Sequence, residues 1–211
     1  MKRIAPVLIG FLFLIVFVST AEAIQIVTQD VNAWTQVNVT YYGTNENVFA
    51  GEIDLLIDNT ARHGYCVDFA ATTYVPSTYS GSLTGLDAIS NGVGAEAAWL
   101  MNNTEGLGAD SNAAVQLVLW ELLYGNNFTY TPSSVDSTIN TLYGEYLTEA
   151  QSNSYSGSGY SVALLQYSNN NPSSGQNLLV NAPDPVPEPT TILLVGSGLI
   201  GLASFFRKKM S

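Results

Sequence analysis

Cys66, in the stretch ARHGYCVDFA, is the single cysteine of a 211-residue chain. One thiol cannot close an internal disulfide, which leaves pairing between molecules, a reactive site, or burial as a small hydrophobe. His63 stands three residues earlier and suggests a thiol–imidazole nucleophile. On an extended strand, residues at i and i+3 face opposite sides, so that pair would need a bend at Gly64. No oxyanion-type glycine pattern and no orienting third group accompanies them, so a cysteine hydrolase is not expected. One cysteine and one histidine are too few for a zinc site, and neither a metal nor a cofactor is expected.

The compartment decides what a lone thiol can do. The chain starts with Lys2 and Arg3, runs through the apolar stretch IAPVLIGFLFLIVFV, and reaches Ala21-Glu22-Ala23. A basic start, an apolar core and an A-x-A-like site predict a signal peptide over residues 1–23, with the mature chain beginning at Ile24. A second apolar run, Thr190 to Phe206, is followed at once by Arg207, Lys208 and Lys209. Its 17 residues sit at the short limit for crossing a bilayer, and the basic flank predicts a cytoplasmic tail, residues 207–211.

Pro187, Glu188 and Pro189 stand just before this run, at the end of a Pro-rich linker, residues 183–189. Pro-Glu-Pro, a short transmembrane segment and a terminal basic cluster, together residues 186–211, resemble the PEP-CTERM sorting signal of Gram-negative bacteria. The resemblance implies that an exosortase and the export machinery are partners. It also implies that the inner membrane holds the chain transiently or permanently, and that the destination is the cell surface or extracellular matrix.

The ectodomain, residues 24–182, is expected to be a single α+β unit. Between Ile24 and Pro189 sixteen acidic residues face one basic residue, Arg62, so nucleic acid is not an expected partner. In WTQVNVTYY and GEIDLLIDN, apolar residues alternate with polar ones and predict N-terminal strands. GYCVDFA extends the sheet, with Tyr65, Val67 and Phe69 on one face and Cys66 and Asp68 on the other. The Gly-, Ser- and Pro-rich stretch TTYVPSTYSGSLTGLD reads as a long loop.

GAEAAWLMNN, SNAAVQLVLWELLYG and PSSVDSTINTLYGEYLTEAQ predict central helices. Ser111 or Asn112 is expected to cap the second, which is apolar nearly all round and therefore central. A serine after Pro132 is expected to cap the third. YSVALLQYS and GQNLLVNA predict a C-terminal β-hairpin.

Three short stretches within these elements then stand out. Tyr65-Cys66-Val67-Asp68, the helix residues Gln116 and Trp120, and Gln176-Asn177-Leu178-Leu179 on the last strand resemble the signatures of bacterial Cys-Gln thioester domains of surface adhesins. The resemblance implies a thioester between Cys66 and Gln176, with Tyr65, Asp68, Gln116 and Trp120 in support. Gln116 and then Gln166 are the other candidates for the acyl partner. The thiol would displace ammonia from the side-chain amide, and a surface amine or sugar hydroxyl would later displace the thiol. Tyr65, Phe69 and Trp120 would keep water away until then. This is acyl transfer used once rather than turnover, so an enzyme is not expected. The other reading is a noncovalent structural component of a polysaccharide or biofilm matrix, with Cys66 merely packed.

Overall fold

The computed structural model describes residues 23–182, apart from 105–106, 133–135, 154, 156–158 and 167–174. The expected signal peptide up to residue 22, and the expected linker, membrane helix 190–206 and basic tail, lie outside the described residues. Among those described, no helix is long and apolar enough to cross a membrane.

The elements run β1 (Ile24–Tyr41), β2 (Thr44–Ile57), β3 (Thr60–Cys66), β4 (Ser77–Thr84), α1 (Gly94–Thr104), α2 (Ala109–Tyr124), β5 (Phe128–Tyr130), α3 (Ser137–Ser152), β6 (Ser161–Gln166) and β7 (Leu178–Val180). This is an α+β architecture. Every strand pairing is antiparallel, and the order β1-β2-β3-β7-β6-β4 returns to β1, closing a six-stranded barrel. β5 is added to the far end of β1. Closure leaves no open edge around the ring.

The β1–β2 hairpin is long enough to serve two purposes. Its base, with Ile26 opposite Ile57, belongs to the barrel and buries Ile26, Ile53 and Leu55 inside it. Two irregularities in β1, between Thr28 and Asp30 and between Asn32 and Thr35, each insert one residue. Beyond them the opposite face is buried, with Val37, Val39 and Ala50 packed beneath α2. The other side of this outer half is open.

α2 is the central helix. Residues 111–120 are buried without interruption, as the all-round apolar pattern requires. Neither Ser111 nor Asn112 caps it. The helix begins two residues earlier, behind Gly108 at φ 97°, and both side chains sit inside the first turns. There Ser111 bonds the Tyr146 hydroxyl and Asn112 accepts from Tyr65, so tertiary partners have replaced the cap. α3 likewise begins at Ser137 behind Asp136, without a side-chain cap.

The stretch read as a loop contains β4, which lies between β1 and β6. Its glycine is a packing requirement, since a Cβ at Gly81 would stand 2.5 Å from the Leu164 carbonyl oxygen and 2.6 Å from Ile26 Cδ1. The expected C-terminal hairpin pairs as β6 and β7, with Val162 opposite Leu179.

Candidate functional site

β3 stops at Cys66, four residues short of the expected strand, which ran to Ala70. β2 leaves it after the pair Ile53–Gly64, and β7 after Leu178–Cys66, with one last bond from the Val67 N–H to the Asn177 carbonyl. Val67, Asp68 and Phe69 therefore do not continue the alternation, and Asp68 shares no strand face with Cys66. Its Oδ1 instead accepts the Ala70 N–H at 3.2 Å.

Where β2 has gone, a side chain takes its place. Gln116 Oε1 accepts the Cys66 N–H at 2.9 Å, and Gln116 Nε2 donates to the Cys66 carbonyl at 2.8 Å. The carboxamide pairs with Cys66 as a neighbouring strand would, fixing the backbone of the last residue of β3. Gln116 thus positions Cys66 and is not brought to its sulfur. Gln166, the third candidate, ends β6 exposed and opposite Ser80.

The sulfur meets Gln176. Sγ lies 2.9 Å from Gln176 Oε1, across a sequence separation of 110 residues. The amide carbon is one C=O bond further, about 1.23 Å, so it lies no more than about 4 Å from the thiol. Gln176 is tethered from the other side, its N–H donating to Thr73 Oγ1 at 2.9 Å. Cys66 is only 8 % exposed. Burial, with a smaller contribution from the Asp68 carboxylate, pushes its thiol from the ordinary 9.0 up to about 12. Such a thiol is a poor free nucleophile at neutral pH and, once acylated, a reluctant leaving group.

An aromatic cluster encloses the chain just after Cys66. Phe69 packs tilted against Tyr41 at 4.4 Å and edge to face with Trp120 at 4.9 Å, and its N–H donates to the Tyr124 hydroxyl. Burial raises that hydroxyl to about 12, keeping it neutral and able to accept. Trp120 Nε1 is buried without a hydrogen-bond partner among the described residues.

Tyr65 looks the other way. Its hydroxyl lies 3.1 Å from Asn112 Oδ1 and 3.3 Å from Glu52 Oε2. It belongs to a polar side of β3 rather than to the aromatic shelter. His63 is on that side too, its Nδ1 3.0 Å from Asp54 and 3.3 Å from Glu52. Gly64 makes no bend between His63 and Cys66: it sits in regular β3, where a Cβ would stand 2.9 Å from Leu179 O. The imidazole and the thiol are therefore held on opposite faces. Glu52, Asp54 and His63 are the three described side chains grouped as metal ligands could be. Strand alternation sets Glu52 and Asp54 among the polar positions of β2 without marking Glu52 as buried, and the cap reading of Asn112 hides its role as a buried polar partner of Tyr65.

No curated protein matches the chain. Among solved structures, the thioester domain of the Staphylococcus aureus TIE protein is similar over 77 % of this chain and 76 % of that one, at 11 % sequence identity and a TM-score of 0.39. Residues 185–209 match the PEP-CTERM protein-sorting motif, so the chain carries a sorting signal that implies export, processing by an exosortase and sorting to the cell envelope.

Proposed function

We propose that this is an adhesin-like protein of the cell surface or matrix whose ectodomain stores an internal thioester between Cys66 and Gln176. The observation that carries the reading is the meeting of the lone thiol with a tethered amide, in a buried site at the end of two barrel strands. In forming the bond, Cys66 sulfur adds to the Gln176 carbonyl carbon. The C–N bond breaks, and the thiol proton leaves with the nitrogen as ammonia. Gln116 holds the Cys66 backbone throughout, and the aromatic cluster around Phe69 limits water.

In use, an amine or hydroxyl of a target adds to the same carbon. The C–S bond breaks, the proton passes to sulfur, and the target is left joined to Gln176. The nucleophile comes from the partner and the site acts once. The high thiol pKa suits storage, because a poor leaving group slows adventitious hydrolysis. Composition favours an external acceptor, since no lysine lies between Ile24 and Phe206 to be acylated from within.

Intact-mass measurement of the purified chain tests this. A mass one ammonia below the sequence value, converted by methylamine to the methylamide and absent in Cys66→Ala, is the expected result. A full-mass chain with an alkylatable thiol would replace the thioester reading with that of a noncovalent matrix component.

A further inference from the structure

The outer half of the β1–β2 hairpin leaves one face open, and its chemistry is unusual for this domain. Gln36 stands opposite Phe49, Asn38 opposite Asn47, and Thr40 opposite Asn45, with Thr129 of β5 beside Thr40. Trp34, at the second irregularity, meets Phe49 edge to face at 4.6 Å. Trp34 is 49 % and Phe49 59 % exposed, too open for either to serve as core. The polar members are already aligned: Asn47 Nδ2 donates to Asn38 Oδ1, and Thr40 Oγ1 to Asn45 Oδ1. Each amide and hydroxyl keeps further donor or acceptor capacity.

No member of this face is charged, although sixteen acids lie between Ile24 and Pro189. An anionic partner would find no Lys or Arg here, and a cationic one no carboxylate. An apolar partner would find two rings and then a row of amides and hydroxyls. What remains is a neutral chain with both C–H faces and many hydroxyls: C–H faces pack on the rings, and hydroxyls exchange hydrogen bonds with Asn, Gln and Thr. Side chains on one face repeat about every 6.8 Å, so the row from Trp34 to Thr40 spans about 20 Å, suited to an extended polymer.

Its location matters as much. Gly64 and Cys66 face the barrel interior, the same side of the sheet as Ile53. On β2, Phe49 lies four residues past Ile53 on that same side, beyond the point where β2 and β3 part. The open face therefore begins at the barrel end where Cys66 meets Gln176.

We propose that this face docks a neutral polysaccharide chain and leads it toward Cys66 and Gln176. Its role as acyl acceptor rests on the thioester reading; the docking does not. In the covalent step a sugar hydroxyl oxygen bonds to the Gln176 carbonyl carbon, the C–S bond breaks, and the hydroxyl proton passes to sulfur, giving an ester and a thiol.

Affinity electrophoresis of the full chain in neutral detergent, through gels holding dextran, hydroxyethyl cellulose or anionic polygalacturonate, tests the platform. At least one neutral polymer should retard the wild type, and Cys66→Ala equally. Trp34→Ala/Phe49→Ala should bind at least tenfold more weakly, with circular dichroism confirming its fold, and Asn38→Ala/Asn47→Ala should also bind more weakly. Retardation by neither neutral polymer, by polygalacturonate alone, or equally in all folded variants would overturn it. Loss of a concentration-dependent dimer in the aromatic variant, without a change in retardation, would assign the face to a second copy instead. Polymer that stays on the wild type but not on Cys66→Ala after denaturation reports the covalent step. Docking without it would remove the polysaccharide as acyl acceptor and leave the platform standing.

Discussion

Tyr65 and Cys66 are neighbours on β3 whose side chains meet opposite conditions. Tyr65 enters a polar group with Glu52 and Asn112, next to the contacts of His63 with Asp54 and Glu52. Cys66 faces the barrel interior, where among the described residues its sulfur meets the Gln176 amide. Directional bonds on one side fix where the strand end lies. The dry side sets how readily its sulfur ionises. One residue of alternation separates positioning from reactivity, and Gln116 joins them by holding the backbone between.

The dry side should give the largest effect. In Gln176→Ala the thiol stays free, and its raised pKa leaves on the order of a thousandfold less thiolate at pH 8 than an unburied thiol would have. Iodoacetamide should label the folded variant far more slowly than the same chain in denaturant, with the rate climbing toward pH 12. Because the folded pKa is raised, the stabilisation is complete below the unfolded value near 9 and is lost as pH rises toward about 12. Urea midpoints across that range should fall. A folded labelling rate with its inflection near 9 would show that the two sides do not differ.

Gln116→Ala tests the link. It strands the buried Cys66 N–H and carbonyl, and the cost should be about 3 kcal/mol in urea unfolding. Methylamine incorporation at Gln176 should also fall, more than in a core variant of equal stability such as Leu123→Ala. Equal losses would reduce Gln116 to a structural bond. Tyr65→Phe, which removes one shared hydroxyl from the polar side, should cost about 1 kcal/mol and leave the labelling rate of Cys66 within a factor of a few. A large change in thiol reactivity there would mean that the sides are coupled.

Much of this arrangement is local and therefore readable from the chain. Strand alternation in β1 and β2, and the unbroken apolar run of α2, point directly to sheet and central helix. β4 was not readable, because Gly81 and its serines look like loop until Ile26 and Leu164 are packed against them. The ends of β3 and α2 depart from the sequence pattern for a similar reason: Gln116 replaces a strand, and Tyr65 and Tyr146 replace a cap. Such substitutions are tertiary and leave no periodic mark. The pairing of Cys66 with Gln176 could be expected only through the resemblance of three short motifs, since 110 residues of intervening chain carry no signal for it.

The position of Gln176 in the chain has a mechanical consequence. It lies six residues before Ala182, where the described chain gives way to the linker and sorting signal. A target held on Gln176, with the chain tethered through its C-terminal end, would be connected to that tether by a few consecutive peptide bonds. Tension between the two would run along β7 and bypass the hairpin, the helices and the rest of the barrel. The joint could bear load without requiring the fold to resist unravelling, and the domain would be a slack passenger on a short covalent leash.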